Sequence, residues 1–453
     1  MVIAVAVIYL TYKVFYGFFR GDKTADDGKV IDWFGKGNGD DGEEDSSIRP
    51  FKVDIPEEVL VDLRQRLERT RFEPPLEDIK FNYGFNSDYL QQVVKYWKDE
   101  YNWRKEEVYL NQFPHFKTKI LGLDVHFVRV QPTLPPGSDM QVVPILMVHG
   151  WPGSFLEFYK ILPLLTTPSS ERDFVFEVVC PSIPGYGFSE SPCRKGLDAT
   201  VSARMFRILM QDRLGHKKFY VQGGDWGSFI TSIMARKYPE CVLGVHLNMF
   251  GSNPKGLDAV KALIVAYLPF LIPKEQFDMF YPIKDRAAFF MQETGYFHLQ
   301  TTKPDTVGCG MTDSPAGMAA YILEKFSTWT LRDGRDLQDG GLLRKYTLDE
   351  LLTNVMLYWV NNNFTASVRF YKENVDMINK ARSEQVPITV PCGLALFPQE
   401  LMGMPRCLMS SQVKDLVTYN VLPRGGHFAA FEEPQLLAED VINFVAAVRQ
   451  RSR

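Results

Sequence analysis

The sequence predicts an α/β fold with a doubly wound, mostly parallel sheet, and two patterns in the 453-residue chain support this. From residue 141 onward, short apolar runs alternate with stretches of helical periodicity; the runs are VVPILMV, FVFEVVC, KFYVQG and VLGVHL. Strands that are apolar throughout, each followed by a helix, are typical of parallel sheets covered on both faces. The alternation stops after residue 252 and resumes near ITVPCGLALF. Ligands of such sheets bind at the carboxyl ends of the strands, so we expect the functional site there.

The interrupting stretch, residues 253–380, is mostly helical and aromatic and carries breaks rich in Gly and Pro. An insertion of this size between late strands predicts a helical lid over the site. The core then consists of residues 141–252 and residues 381–453. Ahead of the core, IPEEVLVDLRQRLERTRF has apolar positions at helical spacing after an acidic start. Residues 50–140 are therefore expected to form an N-terminal extension domain.

Residues 1–20 are predicted to form a transmembrane anchor helix. Their apolar run is interrupted by Lys13, and about 18 such residues just reach the length that spans a bilayer. A cleaved signal peptide and a buried helix are the alternatives. Positive charge follows the run instead of preceding it, and no small-residue cleavage site comes after it, so a retained anchor is favoured. The basic residues beyond the run predict that the body of the protein faces the cytoplasm.

The next stretch, residues 21–49, is acidic and rich in Gly and Asp, and it contains almost no aliphatic side chains. Such a segment cannot bury enough apolar surface to offset the entropy lost on ordering. We interpret it as a flexible tether between the anchor and the folded body.

The overall composition excludes some classes of function. Basic and acidic side chains number 51 and 55, which gives a formal net charge of −4 and does not favour nucleic acid as a partner. The seven histidines show no HExxH motif and no clustered Cys/His spacing, so a zinc site has no support. Six cysteines occur without a CxxC pair, which indicates free thiols in a reducing compartment. A cytosolic body also predicts that the sequon Asn363-Phe364-Thr365 is not glycosylated.

Gly223-Gly224-Asp225-Trp226-Gly227 has the spacing of a nucleophile elbow, G-x-S-x-G, with Asp in place of Ser. It lies between the strand KFYVQG and the helix SFITSIMARKYP, which is the context of that motif. A carboxylate is suited to displacement at a saturated carbon, which leaves an alkyl ester on the enzyme, so Asp225 is the predicted nucleophile. The glycines are expected to allow the crowding and the positive φ of the turn. The alternative is a structural turn in which Asp caps a helix.

His149-Gly150-Trp151-Pro152-Gly153 directly follows the strand VVPILMV. In a fold with this elbow, the loop after that strand supplies one backbone N–H of an oxyanion hole, and the residue after the nucleophile supplies the other. This assigns the two donors to Trp151 and Trp226. An oxyanion hole is needed because water attack on the Asp225 ester creates an oxyanion. His149 itself is expected to be structural.

His427 is the predicted base, because it follows the last strand, KDLVTYNVL, and completes the α/β-hydrolase chain order of nucleophile, acid and histidine. Glu400 lies just past the strand ITVPCGLALF and is predicted to orient the imidazole and to stabilise its charge. The alternatives are a surface or capping histidine and an exposed loop carboxylate.

Taken together, HGWPGSF, GGDWGS, ETGYFH, SVRFYKEN, FPQE and RGGHFAAFEEP resemble the microsomal epoxide hydrolase family, which includes insect juvenile hormone epoxide hydrolases. The resemblance extends over nearly the whole chain from about Pro50. The N-terminal apolar run matches the family's anchor, whereas the acidic tether has no counterpart that we identify. The resemblance implies the α/β-hydrolase fold, an endoplasmic reticulum membrane location with the body facing the cytosol, and no metal or organic cofactor.

The family's two lid tyrosines correspond to Tyr296, in ETGYFH, and Tyr371, in RFYKEN. An epoxide opens to a poor alkoxide leaving group, which needs a proton from the face opposite the nucleophile. A phenol with a pKa of about 10 is protonated at neutral pH and suits this role. The resemblance therefore implies a hydrolase of the cis-stilbene-oxide class that converts lipophilic epoxides and water into vicinal diols.

The core motifs alone are also compatible with two other functions. Haloalkane dehalogenases share the Asp nucleophile, the His/acid pair and the DWG elbow, and a non-catalytic binder of hydrophobic ligands can reuse the fold without its chemistry. The natural epoxide also remains open among arene and alkene oxides, fatty-acid epoxides and terpenoid hormones. The anchor adds membrane lipid as a partner of the protein.

Overall fold

The computed structural model describes residues 33–37, 44–251, 256–384 and 386–451, with the backbone alone for residues 376–384. The predicted anchor lies outside these ranges. None of the helices in the described part of the chain has both the length and the apolar character needed to cross a bilayer.

One sheet forms the centre of the described structure, with the strand order β1–β2–β3–β5–β4–β6–β7–β8–β9. Its strands are β1 (Arg49–Phe51), β2 (His115–Ile120), β3 (Leu123–Val130), β4 (Gln141–Val148), β5 (Phe174–Pro181), β6 (Phe219–Gly223), β7 (Val242–Leu247), β8 (Cys392–Leu396) and β9 (Leu416–Val421). The strands pair antiparallel from β1 to β5 and parallel from β5 to β9 in that order. Every residue of β5 is buried, as expected for a strand with helices on both faces. The predicted α/β-hydrolase fold is confirmed.

Helices cover the sheet and build the lid. Outside the lid they are α1 (Glu57–Glu68), α2 (Ser87–Asp99), α3 (Trp103–Leu110), α4 (Leu162–Thr166), α5 (Ala199–Ile208), α6 (Asp225–Lys237), α15 (Ala429–Glu432) and α16 (Pro434–Arg451). In the lid they are α7 (Leu257–Tyr267), α8 (Lys274–Phe280), α9 (Ile283–Glu293), α10 (Gly295–Thr302), α11 (Pro304–Asp313), α12 (Pro315–Thr328), α13 (Leu348–Trp359) and α14 (Phe364–Glu384). The lid is thus inserted between β7 and β8, and its last helix continues past the expected boundary at residue 380.

The N-terminal region is expected to end at residue 140, and its strands join the core across that boundary. Strands β1, β2 and β3 precede it, yet they extend the same sheet as the core strands. The helical part of the N-terminal region packs instead against the lid. The Tyr96 hydroxyl and the Lys105 ammonium bind the carboxylate of Asp349 at 2.8 and 2.9 Å, and Arg66 binds Asp313 at 2.7 Å.

The prediction of a flexible tether is wrong for the parts of residues 21–49 that the structure describes. Phe34 is fully buried, and its backbone pairs with the Leu121 carbonyl and the Cys193 N–H. Glu44 forms an ion pair with Arg213 at 3.0 Å. The prediction rested on the lack of aliphatic side chains and overlooked that one aromatic ring and one paired carboxylate also fix a segment. The remaining tether residues lie outside the described ranges.

The stretch SFLEFYKILPLL, which follows the loop after β4, divides into two short elements. A single 3-10 turn covers Phe155–Phe158, and α4 follows with Pro163 in its first turn. The side chain of Ser154 accepts from the Leu156 N–H, and the Glu157 carboxylate accepts from the Ser154 N–H in return. This capping box fixes the turn directly beneath the site.

Two further predictions concern the sequon at Asn363 and the six cysteines. Asn363 is 1% exposed and its amide donates to the Gly187 carbonyl, so the folded protein has no room for a glycan at this position. Glycosylation of the folded chain therefore cannot report membrane orientation, contrary to our expectation. All six cysteines are free, and three of them, Cys193, Cys309 and Cys407, are exposed.

Candidate active site

The nucleophile elbow lies at the carboxyl end of β6. Asp225 begins α6 with a φ of 46°, so the left-handed conformation of the turn belongs to the nucleophile itself and not, as expected, to its glycines. The glycines provide space. A Cβ on Gly227 would lie 1.9 Å from the Val148 carbonyl oxygen, and one on Gly223 would lie 2.4 Å from the Gly227 backbone. This close packing fixes the direction of the Asp225 carboxylate.

The loop after β4 crosses directly over the nucleophile. The Trp151 N–H donates to Asp225 Oδ1 at 2.8 Å, and a Cβ on Gly150 would lie 2.2 Å from the same oxygen. Glycine is therefore required for the loop to come this close. Trp226 is the second residue of α6, where backbone N–H groups have no acceptor within the helix. Its role as the second donor stays a prediction.

His427 and Glu400 complete the core of the site. His427 Nδ1 lies 2.8 Å from Glu400 Oε1, and its Nε2 lies 3.3 Å from Asp225 Oδ2. Glu400 Oε1 also accepts from the Leu401 N–H at 2.6 Å. The Glu400 side chain is fully buried, so it is not the exposed loop carboxylate of the alternative interpretation. The structure thus brings the predicted nucleophile, base and acid together.

The two carboxylates control the protonation of the imidazole. Burial alone favours the neutral ring, but the charge of Glu400 and the hydrogen bonds and charge of Asp225 outweigh burial and raise the pKa of His427 well above 6.5. The two carboxylates therefore favour the charged form of the imidazole. Loss of either negative charge lowers this pKa.

Both lid tyrosines lie beside the nucleophile. The Tyr296 ring stacks on the Trp151 indole at 5.3 Å, and the Tyr371 ring lies 5.7 Å from the same indole and 4.8 Å from Trp226. Burial, with the charge of Asp225 adding to it, raises the pKa of both phenols well above 10. The Tyr371 hydroxyl makes no well-formed hydrogen bond with another described residue. Two neutral phenols therefore face the carboxylate from the lid.

A third carboxyl group, Glu157, lines the site and was not predicted. It borders a cavity of about 20 Å³ together with Asp225, His427, Gln222 and Asn248. A polar cavity of this volume can hold one water molecule. Burial raises the pKa of Glu157 to about 8 against the opposing charge of His427. The capping box S-x-x-E in WPGSFLE was the available signal, because it fixes Glu157 one turn after the loop over the nucleophile.

Glu432 was also missed, and it holds the loop that carries the base. One of its oxygens accepts from the Gly426 N–H and the other from the Phe428 N–H, both at 3.0 Å. These two donors flank His427. Burial raises the pKa of Glu432 to about 8. We find no local pattern in the sequence that identifies this contact.

His149 has the structural role that was expected. Its Nδ1 donates to the Gly150 carbonyl, and its Nε2 accepts from the Ile183 N–H at 3.2 Å. Burial lowers the pKa of His149 to about 4, so the ring is neutral and serves to hold the loop over the nucleophile.

The chain matches two protein-family models. Residues 48–158 match the epoxide hydrolase N terminus, and residues 143–376 match the alpha/beta hydrolase fold. The chain is 48% identical to epoxide hydrolase 1 of Oryctolagus cuniculus over 446 residues, which is 97% of each protein. It is 47% identical to juvenile hormone epoxide hydrolase 1 of Ctenocephalides felis, over 92% of this chain and 89% of that relative.

Solved structures lead to the same group of proteins. The crystal structure of juvenile hormone epoxide hydrolase from the silkworm Bombyx mori superposes with a TM-score of 0.89 at 41% identity and covers 94% of this chain and 100% of that one. The epoxide hydrolase of Aspergillus niger superposes with a TM-score of 0.73 at 30% identity, over 93% of this chain and 100% of that one.

Proposed function

The chain belongs to the microsomal epoxide hydrolase family, which includes the insect juvenile hormone epoxide hydrolases, and we propose that it opens its epoxide through a covalent ester on Asp225. It is an epoxide hydrolase of the α/β-hydrolase fold, with an epoxide and water as substrates. One observation carries the proposal: Asp225 Oδ1 accepts the Trp151 N–H, whereas Oδ2 faces His427. One oxygen is held where an oxyanion develops, and the other is available for attack.

In the first half-reaction Asp225 Oδ2 attacks an epoxide carbon. The carbon–oxygen bond of the ring breaks, and its electron pair moves to the epoxide oxygen. Tyr296 and Tyr371 donate hydrogen bonds to that oxygen, and a phenolic proton neutralises it. Their raised pKa values keep both phenols protonated at neutral pH. The product is a hydroxyalkyl ester of Asp225.

Ester formation prepares the base for the second half-reaction. The Asp225 charge helps to raise the pKa of His427, and the ester no longer carries that charge. The imidazolium then releases its proton more readily. This proton restores the phenol that gave its own to the epoxide oxygen, and a neutral imidazole remains to activate water. Glu400 keeps its hydrogen bond to Nδ1 and holds the ring in place.

In the second half-reaction a water in the cavity between Glu157 and His427 attacks the Asp225 carbonyl carbon. His427 accepts the proton of this water, and Glu157 accepts its other hydrogen bond. The negative charge develops on Oδ1, where the Trp151 N–H donates, with the Trp226 N–H as the proposed second donor. The ester bond then breaks and the diol leaves with a proton from His427. The Asp225 carboxyl group passes its remaining proton to His427, which restores the carboxylate and the imidazolium.

The two alternative functions have less support. A halide leaves as a stable anion and needs only weak donors, whereas this site presents two protonated phenols to the leaving oxygen. A binding protein needs neither an acid behind the imidazole nor an N–H on the carboxylate.

The substrate is proposed to be a lipophilic epoxide. Aromatic rings surround the reacting carboxylate on the lid side, among them Trp151, Trp329 and Phe297. Two relatives are named as juvenile hormone epoxide hydrolases and support a terpenoid epoxide as one candidate. Xenobiotic oxides, which the family resemblance implies, are the other. The predicted anchor supports a location in the endoplasmic reticulum membrane with the body in the cytosol.

Single turnover in ¹⁸O-water tests the mechanism. Enzyme in excess over styrene oxide is allowed to react once, and the peptide containing Asp225 is then analysed by mass spectrometry. We expect ¹⁸O in the Asp225 carboxylate and unlabelled oxygen in the new hydroxyl of the diol. Label confined to the diol would mean direct attack of water on the epoxide and would contradict the covalent mechanism. The Asp225→Ala variant is the control and should form no diol.

A further inference from the structure

Large apolar side chains are exposed on one part of the lid. More than half of those exposed in the described part of the chain lie between residues 257 and 291; they are Leu257, Val260, Leu263, Ile264, Tyr267, Leu268, Phe270, Leu271, Ile283, Phe290 and Met291. We call these residues the lid patch. Phe270 and Leu257 are 75% and 74% exposed. Eleven exposed apolar residues within 35 positions of the chain indicate an interaction surface, whereas the other exposed apolar residues are dispersed along the described chain.

Helix α7, which carries half of the patch, has the reverse of the usual amphipathic arrangement. Its buried side is fastened by polar contacts: Asp258 accepts from the Ser410 hydroxyl at 2.7 Å and from the Ser411 N–H at 2.6 Å. The carbonyl of Val265 accepts from the Tyr281 hydroxyl at 2.7 Å. The apolar side of the helix faces outward. These contacts hold the exposed apolar face in a fixed orientation.

We propose that the lid patch lies in the boundary between headgroups and acyl chains of a bilayer. Helix α7 has 11 residues and spans about 16 Å at 1.5 Å per residue, roughly half of a hydrocarbon core, so it can lie in the interface but cannot cross it. Exposed Lys274 and Lys284 at the margin carry positive charge, and Glu275 and Asp285 beside them carry negative charge. The contact therefore depends on apolar burial more than on anionic lipid.

The position of the predicted anchor argues for lipid as the occupant of the patch. The predicted anchor, residues 1–20, is separated by 12 residues from Trp33, the first described residue, and a fully extended chain of that length reaches at most about 43 Å. A body held so near a bilayer meets lipid at high effective concentration. This argument rests on the anchor of the proposed function.

The same contact offers a route for a lipophilic substrate. Helix α9 carries Phe290 and Met291 of the patch, and Tyr296 follows near the start of α10. Glu293 between them is fixed by Thr328 at 2.7 Å and Arg335 at 2.7 Å. A short segment held by hydrogen bonds thus connects the outer surface of the lid to the Tyr296 phenol. An epoxide dissolved in the bilayer reaches the lid without passing through water.

A depth measurement on the full-length protein tests the proposal. The exposed cysteines Cys193, Cys309 and Cys407 are replaced by Ser, and a single Phe270→Cys variant is labelled with the environment-sensitive fluorophore NBD. The matched control is Tyr83→Cys, because Tyr83 is 79% exposed on the N-terminal helical region. In phosphatidylcholine vesicles we expect the label at position 270 to shift to the blue and to be quenched by lipids with a nitroxide on the acyl chain. The control label should show neither change.

The remaining outcomes overturn the proposal. If the labels at positions 270 and 83 emit at the same wavelength in vesicles, the lid faces water. The label at position 270 could instead shift to the blue in lipid-free detergent, with a shift that grows with protein concentration. That result means that a second copy of the chain covers the patch. Either result leaves the ¹⁸O experiment untouched, so the lid proposal and the covalent mechanism fail separately.

A kinetic measurement adds a second test. The double variant Leu263→Asp, Phe270→Asp should raise KM for a long-chain epoxide presented in vesicles by about tenfold or more, because two buried apolar groups are lost. Its kcat, and its kcat/KM for a short water-soluble epoxide, should equal those of the wild type. The control is Val61→Asp, Val108→Asp, which replaces two apolar residues that are exposed elsewhere. An unchanged KM for the long-chain epoxide in the lid variant contradicts the proposal.

Discussion

The core half and the lid half of the active site differ in how their reacting groups are held. In the core, both oxygens of Asp225 already have partners, and His427 is held between two carboxylates. In the lid, the Tyr371 hydroxyl has no well-formed bond to another described residue. The comparison indicates that the attacking carboxylate is held in place before the substrate binds, whereas the Tyr371 hydroxyl finds its acceptor in the epoxide oxygen. Variants in the two halves should therefore affect different steps.

His427→Gln should have the largest effect and should affect hydrolysis alone. Asp225 can still attack, but no base activates water, so we expect steady-state turnover to fall by roughly 10⁴-fold or more. The ester should accumulate, and intact-protein mass spectrometry should show an increase equal to the mass of the epoxide. Protein of unchanged mass after reaction would mean that the imidazole is needed for attack itself. His298→Gln, a change on an exposed lid residue, is the control.

Gly150→Ala tests how far the core is preorganised. The added Cβ would lie 2.2 Å from Asp225 Oδ1, so the loop must retreat and the Trp151 N–H must move with it. Loss of one oxyanion donor costs about 10²- to 10³-fold in kcat. Rapid-quench kinetics should locate the loss mainly in ester hydrolysis. The control is Gly310→Ala, where the structure has open space around the added Cβ and the backbone is helical.

Tyr296→Phe and Tyr371→Phe test the lid half. Each removes one donor to the leaving oxygen, and we expect ester formation to slow by about 10- to 100-fold in single variants and by more in the double variant. The hydrolysis rate of preformed ester should remain near the wild-type value. A double variant that forms ester at the wild-type rate would contradict the assignment of both tyrosines. Tyr321→Phe, in the same aromatic cluster, is the matched control.

Glu432→Gln should reduce turnover less than the variants above. An amide group places an NH₂ against either the Gly426 or the Phe428 N–H, so the loop shifts and His427 with it. We expect kcat to fall by about tenfold, which corresponds to the loss of one buried hydrogen bond, with KM unchanged and the pH profile of kcat displaced. Glu432→Asp should restore part of the loss. A uniform loss of thermal stability without a changed pH profile would indicate a structural role only.

The pH dependence of stability gives the smallest effect. Because the folded pKa of His427 is raised above 6.5, its interactions stabilise the protein fully below that value and cease to do so as pH rises through the folded pKa. Asp225→Asn removes one of the two charges responsible. The difference in Tm between wild type and Asp225→Asn should therefore shrink as pH increases from 6 to 9. The exposed change Asp139→Asn should give a difference that does not vary with pH.

The sequence predicted those features that depend on local pattern. The parallel strands follow from unbroken apolar runs, and Asp225, Trp151, Glu400 and His427 each lie at a strand end, where the fold puts them together. Glu432 could not be predicted, because its role comes from two backbone donors reached by a turn of the chain. The tyrosines were selected through the family resemblance alone.

Helix α7 shows another limit of sequence patterns. Periodicity shows that a helix has an apolar face, but it does not show which face lies outward. The polar anchors of α7, Ser410 and Ser411, come from the distant segment after β8. The segment around Phe34 was misjudged for a similar reason, since its partners Leu121 and Cys193 are also remote in the chain.

The burial of Asn363 makes glycosylation and folding mutually exclusive at this sequon. Glycans are attached to a sequon that is accessible, and the Asn363 amide becomes inaccessible once it donates to the Gly187 carbonyl. A chain modified at Asn363 could not seat the start of α14, the helix that carries Tyr371. Catalytic activity would then be lost in every molecule that carried the sugar. Any active molecule is therefore one that carries no glycan at Asn363.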